Sequence, residues 1–231
     1  MTAPLHRNST IVISPDERLV CAVNQDADSI SLWRWQTNQP VTQIQVDEEP
    51  RNIAFSGDGK WAYVTAQRAQ TLCIINLQSA RCVRRIPVGG QPVGIVLSGT
   101  GTEAYITQFA GDYFGNKYAP GALAIVDLQQ ARVRNRVPLA ARPFALARSM
   151  DGQSLWVSHY LGIQGRGLIT EIDLQQEAIH RTIPLAEDSD IGGGRGGIFT
   201  AVASLDVHPQ FPRALVAGMR ANQKRGPTQS G

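Results

Sequence analysis

Cysteine, one-sided charge and long apolar runs are all scarce in this chain. Its 231 residues include only Cys21, Cys73 and Cys82, too few for a disulfide framework. There is no Cys-x-x-Cys-His, which excludes c-type haem attachment, and no ligand spacing suited to zinc. Bases and acids nearly balance, 22 against 19 for a net +3, which gives no support to a nucleic-acid partner. No stretch is long and apolar enough to span a membrane. Residues 1–10 lack the apolar centre of a signal peptide. As written the product reads as cytoplasmic; with an incomplete N-terminus it would read as periplasmic or extracellular. Gly-x-Ser-x-Gly is absent, and no serine has a histidine and a carboxylate at motif spacing. The residues therefore nominate no catalytic group, no metal set and no cofactor.

What is present is a line written at least three times. Pro50-Arg-Asn-Ile-Ala-Phe-Ser-Gly-Asp-Gly59 precedes Trp61-Ala-Tyr-Val-Thr65. Pro92-Val-Gly-Ile-Val-Leu-Ser-Gly-Thr-Gly101 precedes Glu103-Ala-Tyr-Ile-Thr107. Pro143-Phe-Ala-Leu-Ala-Arg-Ser-Met-Asp-Gly152 precedes Ser154-Leu-Trp-Val-Ser158. A period of this length made of short strands means a radial or solenoidal architecture. The Ser-Gly-Asp-Gly and Ser-Met-Asp-Gly segments read as turns, because glycine and aspartate supply turn geometry and the motif recurs in each unit.

The second unit shows the grammar without insertions. Asn52–Phe55, Trp61–Thr65, Thr71–Leu77 and Cys82–Val88 read as four strands, rich in β-branched and aromatic residues. The fourth alternates apolar and charged residues and carries the proline an edge strand tolerates. If its hairpin turns near Ser79, Cys73 stands opposite a residue near Arg85. The two sulfurs are then too far apart to bridge without a register slip, so all three cysteines read as small, mostly buried hydrophobes. The expectation is one all-β domain over 1–231, a β-propeller of four-stranded antiparallel blades. The blades are placed at 9–49, 50–91, 92–142 and 143–186, with a partial fifth at 201–231.

Ala62-Tyr-Val-Thr65 after Ser-Gly-Asp-Gly-Lys60, with Ile74-Ile-Asn-Leu77 and Arg84-Arg-Ile-Pro-Val88 downstream, resembles the YVTN-type β-propeller repeat. The resemblance runs from residue 9 to about 218. It implies a ring of about seven blades, of which this chain supplies four and a stub. The expectation is therefore a piece of a longer protein, or two chains completing one ring by self-association. The family includes surface-layer and secreted propellers and others joined to cytochrome c domains. A downstream haem domain in a periplasmic redox protein is thus the alternative to a plain binding module.

Insertions fall where a propeller carries its second-to-third-strand loops and its blade-to-blade links, on one face. They are Gly111–Gly121, Tyr160–Gly167 and Glu187–Gly197. Long loops on one side of a rigid scaffold are where binding sites are commonly built. They offer Asp112, Tyr113, Lys117, Tyr118, His159, Arg166, Asp188, Asp190 and Arg195 to a protein or small-molecule ligand. Gly192-Gly-Gly-Arg-Gly-Gly197 lacks a Walker lysine and opens no helix, so it reads as a linker. Asp188-Ser-Asp190 lacks the further oxygen ligands of a calcium loop. His159, at a strand end, is either a channel-facing ligand or a hydrogen-bonded structural residue.

Overall fold

The computed structural model describes residues 10–110, 113–114, 117–118, 120–139, 142–163, 166–185, 198–207 and 214–221. Four antiparallel sheets of four strands follow one another along the chain. The first is β1 (Ile11–Ile13), β2 (Leu19–Asn24), β3 (Ser29–Arg34) and β4 (Gln39–Gln45). The second is β5 (Pro50–Phe55), β6 (Trp61–Ala66), β7 (Thr71–Asn76) and β8 (Arg81–Pro87). The third begins with β9 (Pro92–Leu97) and β10 (Glu103–Gln108). A small ribbon of β11 (Tyr113–Phe114) and β12 (Lys117–Tyr118) interrupts it before β13 (Ala122–Asp127) and β14 (Arg132–Pro138). The fourth is β15 (Pro143–Arg148), β16 (Ser154–Ile163), β17 (Arg166–Asp173) and β18 (Ala178–Pro184). A two-stranded sheet, β19 (Ile198–Val207) and β20 (Ala214–Ala221), follows.

The sheets pack face to face in chain order, each first strand beside the next sheet's first strand. Alternation explains how: successive residues of a strand point to opposite faces. In β5, Ile53 and Phe55 pack back onto the first sheet while Ala54 packs forward onto the third. In β7, Cys73 and Ile75 face backward and Leu72 and Ile74 forward. Each seam is a separate apolar cluster, and the strands buried on both faces read as near-continuous apolar runs.

A hydroxyl ties each of three seams. Asn52 N–H donates to Thr65 Oγ1 at 3.1 Å, and Thr65 Oγ1 donates to the Val93 carbonyl at 2.6 Å. Gly94 N–H donates to Thr107 Oγ1 at 2.8 Å, and that hydroxyl donates to the Phe144 carbonyl at 2.6 Å. Ala145 N–H donates to Ser158 Oγ at 3.1 Å, and Ser158 Oγ donates to the Val202 carbonyl at 3.1 Å. The first-to-second-strand register shifts at these points. The shift takes an N–H out of the ladder, and the buried donor needs another acceptor.

The repeated Ser-x-Asp segments are turns. Ser14, Ser56 and Ser149 each donate to the carboxylate two residues on, Asp16, Asp58 and Asp151, at 2.6 Å. The serine oxygens accept in turn from the N–H of Leu19, Trp61 and Ser154. Gly59 and Gly152 sit at φ of +67° and +72°, the left-handed region that glycine enters without steric cost.

Two expectations are corrected here. Tyr160–Gly167 is not an inserted loop: β16 and β17 extend into it, and Ile163 pairs with Arg166. The register slip that would bring Cys82 toward Cys73 is present. The β7–β8 pairing shifts between Ile74 and Ile75, so Ile75 stands opposite Cys82. The same shift occurs between the third and fourth strands of the other three four-stranded sheets.

Candidate binding face and axial cavity

Backbone hydrogen bonds establish which loops share a face. Gln67 N–H donates to the Glu49 carbonyl, Phe109 N–H to Gln91 and Tyr160 N–H to Arg142. Each joins the end of a second strand, or the connection that follows it, to the preceding inter-sheet link. On the opposite side, Ser56 N–H reaches the Trp61 carbonyl and Leu77 N–H reaches Lys60. The first set forms the loop face and the second the turn face.

At the loop-face end of the innermost strands lies a cavity of about 300 Å³. Its lining includes Gln25, Arg51, Asn52, Val93, Phe144 and Ser204. Arg51 is held in place by Gln25 Oε1 at 3.1 Å, by Glu49 Oε1 at 2.9 Å and by Gln67 Oε1. Its charge is therefore fixed beside the cavity by a carboxylate and two amides. Glu49 also meets Arg68 at 3.7 Å. A second hollow of about 360 Å³ is lined by Glu49, Gln67, Arg68, Gln70 and Gln91 on the same face.

Phe144 continues outward into an aromatic cluster. Its ring centre lies 5.5 Å from that of Tyr160 and 6.1 Å from that of Phe109, and Phe109 and Tyr160 are 5.9 Å apart. The Arg142 guanidinium stands 5.1 Å above Phe109, within cation–π range. All four residues are half-buried, so rings and charge stay within reach from the loop face.

The sequence-nominated residues distribute unevenly. Tyr113 and Lys117 lie in the β11–β12 ribbon, with Tyr113 opposite Tyr118 in register. Arg166 opens β17 and is exposed. His159 is fully buried, with Nε2 2.8 Å from Thr170 Oγ1, and it is not among the residues lining the axial cavity. Asp112, Asp188, Asp190 and Arg195 lie outside the described residues. Among the described residues no group of three His, Cys, Asp or Glu side chains is placed to hold a metal ion. No helix among them is long and apolar enough to cross a membrane. The sequence reading missed Arg51, Phe109, Arg142 and Phe144. Phe144 was legible in part, because it follows the repeated proline where the other units have Arg51 and Val93.

A YNCE-like β-propeller family model matches residues 8–103, less than half of the chain. No curated protein matches the sequence. Among solved structures, Kuenenia stuttgartiensis hydrazine synthase is similar over 100% of this chain and 60% of its own, with TM-score 0.82 and 17% identity. The chain is a β-propeller. The Myceliophteria thermophila Cps50 (Swd1) β-propeller domain is similar at TM-score 0.67 and 12% identity, over 92% of this chain and 62% of its own. The dihydro-heme d1 dehydrogenase NirN in complex with DHE is similar at TM-score 0.61 and 16% identity, over 92% of this propeller and 42% of that chain. The propeller thus spans less than two thirds of each of the three. The general assignment stands on these matches, while the finer YVTN label rests on the repeat residues alone.

Proposed function

We propose that this propeller is a non-catalytic binding or interaction module whose ligand or partner sits on the loop face of the third and fourth blades. One observation carries the reading. Phe144 belongs both to the axial cavity wall and to the ring cluster with Phe109 and Tyr160. Cavity, rings and Arg142 therefore make one surface. Apolar rings with a few placed polar groups suit a flat, partly anionic ligand or an aromatic-bearing peptide segment. The test is thermal shift against a panel of haemin, aromatic carboxylates and nucleotides. The reading expects a compound whose shift is lost in Arg142→Ala and Phe109→Ala and kept in the turn-face variant Lys60→Ala. A shift lost only in the turn-face variant contradicts it. So does turnover of a substrate by the purified chain.

A second reading makes the chain the propeller portion of a larger redox protein. Its support is that two similar structures are named hydrazine synthase and dihydro-heme d1 dehydrogenase, and this chain spans 60% and 42% of them. Haemin titration with a Soret shift abolished by Phe144→Ala favours this reading, and an unshifted Soret band counts against it.

We infer, further, that another blade covers the backward face of the first sheet. Ile11, Ile13, Trp33 and Trp35 are 59%, 46%, 37% and 55% exposed. One repeat later the same positions hold Ile53, Phe55, Ile75 and Leu77, all packed against the preceding blade. The first sheet thus presents a seam surface, and large exposed apolar patches of this kind mark association sites.

A further inference from the structure

Cys73 and Cys82 are brought together by the irregularity in the β7–β8 ladder. Cys73 pairs with Arg85 and Ile74 with Arg84, and then the register slips so that Ile75 meets Cys82. Val83 is the extra residue and is exposed. A regular ladder would set Val83 opposite Ile75 and turn Cys82 to the other face. The slip places Cys82 on the face that Cys73 and Ile75 share. Both cysteines, each a free thiol, belong to the apolar cluster between the first and second blades, and the Cys82 thiol donates to the Arg84 carbonyl at 3.6 Å. The corresponding pairs in the other blades are Ser31 and Pro40, Ala124 and Val133, and Thr170 and Ile179. Of the four blades, the second alone carries sulfur at both positions.

The surroundings make the two thiols unequal. Cys73 is fully buried and Cys82 half-buried. Asp47, in the link after β4, accepts from Thr71 Oγ1 and from Arg85 Nε, both at 2.6 Å. Burial works against its charge, but these two donors hold the Asp47 carboxyl below the ordinary aspartate value. The neighbouring Cys73 thiol, opposed by burial and helped by the Arg85 charge, brings the Cys82 thiol below the ordinary cysteine value. The proximity of Cys82, together with burial, pushes Cys73 up. Burial alone pushes Cys21 up.

We propose that Cys73 and Cys82 form a reversible dithiol–disulfide site at the seam between the first two blades, oxidised by hydroperoxides. Cys82 is the attacking sulfur. Its thiolate attacks the distal oxygen of the peroxide: an S–O bond forms as the O–O bond breaks, leaving a Cys82 sulfenic acid and an alkoxide or hydroxide that takes up a proton and departs as alcohol or water. The Cys73 sulfur then attacks the sulfenic sulfur, the S–O bond breaks, and water leaves with the Cys73 proton. Two thiols lose two electrons, and the peroxide gains them. A low-molecular-weight dithiol reverses the reaction by exchange. The bridge ties edge strand β8 to β7 beside the Asp47–Arg85 ion pair. The site is independent of the loop-face reading.

The experiment treats the full chain with equimolar hydrogen peroxide, alkylates it under denaturing conditions and digests it with trypsin. The expected product joins peptide 69–81 to peptide 82–84, two hydrogens lighter than their sum, with Cys21 still alkylated. Dithiothreitol returns both peptides to the free form. In Cys73→Ser, dimedone traps a Cys82 sulfenic acid that the untreated-sequence protein does not accumulate. In Arg85→Gln, native-state alkylation of Cys82 at pH 7 slows by about threefold. Three results overturn the proposal: a Cys82 sulfenic or sulfinic acid in the parent chain with no linked peptide, a Cys82–Cys82 link between molecules, or oxidation of Cys21 as fast as Cys82.

Discussion

Thr65 Oγ1 donates a 2.6 Å hydrogen bond to the carbonyl of Val93, joining the second strand of one blade to the first strand of the next. The same hydroxyl accepts the Asn52 N–H freed by the register shift. One side chain therefore satisfies a buried donor in its own blade and grips its neighbour. Thr107 and Ser158 repeat the arrangement, and all three residues are fully buried. Replacing Thr107 by valine keeps the shape and leaves the Gly94 N–H and the Phe144 carbonyl without this partner. The expected loss is about 1–3 kcal/mol, measured by urea denaturation. Thr107→Ser keeps both bonds and loses only a methyl, for about 1 kcal/mol or less.

Gly94 stands where the third and fourth blades approach closely. A Cβ there would lie 2.5 Å from both Leu146 Cδ2 and the Phe144 carbonyl oxygen. The backbone oxygen cannot swing away as a flexible side chain does. Gly94→Ala is expected to destabilise by about 1–3 kcal/mol through overpacking, read as a lower midpoint in thermal unfolding. At the corresponding position of the second blade, Asn52 fits and donates to the Val93 carbonyl at 3.0 Å.

The turn-face aspartates make stability depend on acid. Hydrogen bonds from Ser14, Ser56 and Ser149 are the leading cause that holds Asp16, Asp58 and Asp151 below the ordinary aspartate value. A carboxyl depressed in the folded state contributes stability that is present above its unfolded pKa. That contribution is lost as pH falls from about 3.9 through the lower folded pKa. The three groups are largely exposed, so each contribution is small. The triple variant Asp16→Asn, Asp58→Asn, Asp151→Asn is expected to show a flatter urea midpoint between pH 5 and 2 than the parent chain. Parallel profiles would contradict the assignment.

The backward face of the first blade predicts association. Trp33→Lys with Trp35→Lys places two charges on a surface that the repeat pattern marks as a seam. Light scattering should show the parent chain above its monomer mass of 25.1 kDa and the double variant at it. A parent chain that is monomeric at all concentrations tested contradicts self-association through this face.

Much of the fold was legible because the repeated line ties pattern to position. The proline, the glycine turn and the aromatic recur together, and the strands they predict match β5, β6, β9, β10 and β15 closely. The seam hydroxyls were visible as Thr65, Thr107 and Ser158 in the same column, but a column does not say which neighbour a side chain grips. The third-to-fourth-strand slip left little trace, since one extra residue in an exposed edge strand alters the alternation only locally; Cys73 stands opposite Arg85 as expected and the three thiols are free, but the turning of Cys82 to the face of Cys73 was not legible for that reason. Phe109 follows β10, Arg142 precedes β15 and Tyr160 lies in β16, and only the stacking of blades brings Phe109 to the other two. Asp112, Asp188, Asp190 and Arg195 remain proposals of the sequence, outside the described residues.

The most direct test of the binding account is hydrogen–deuterium exchange with and without the compound that gives the largest thermal shift. The account predicts protection at residues 49–51, 67–70, 109–110, 142–144 and 160, on the loop face. Protection confined to the turn-face segments 56–60, 77–80 and 149–153 would contradict it.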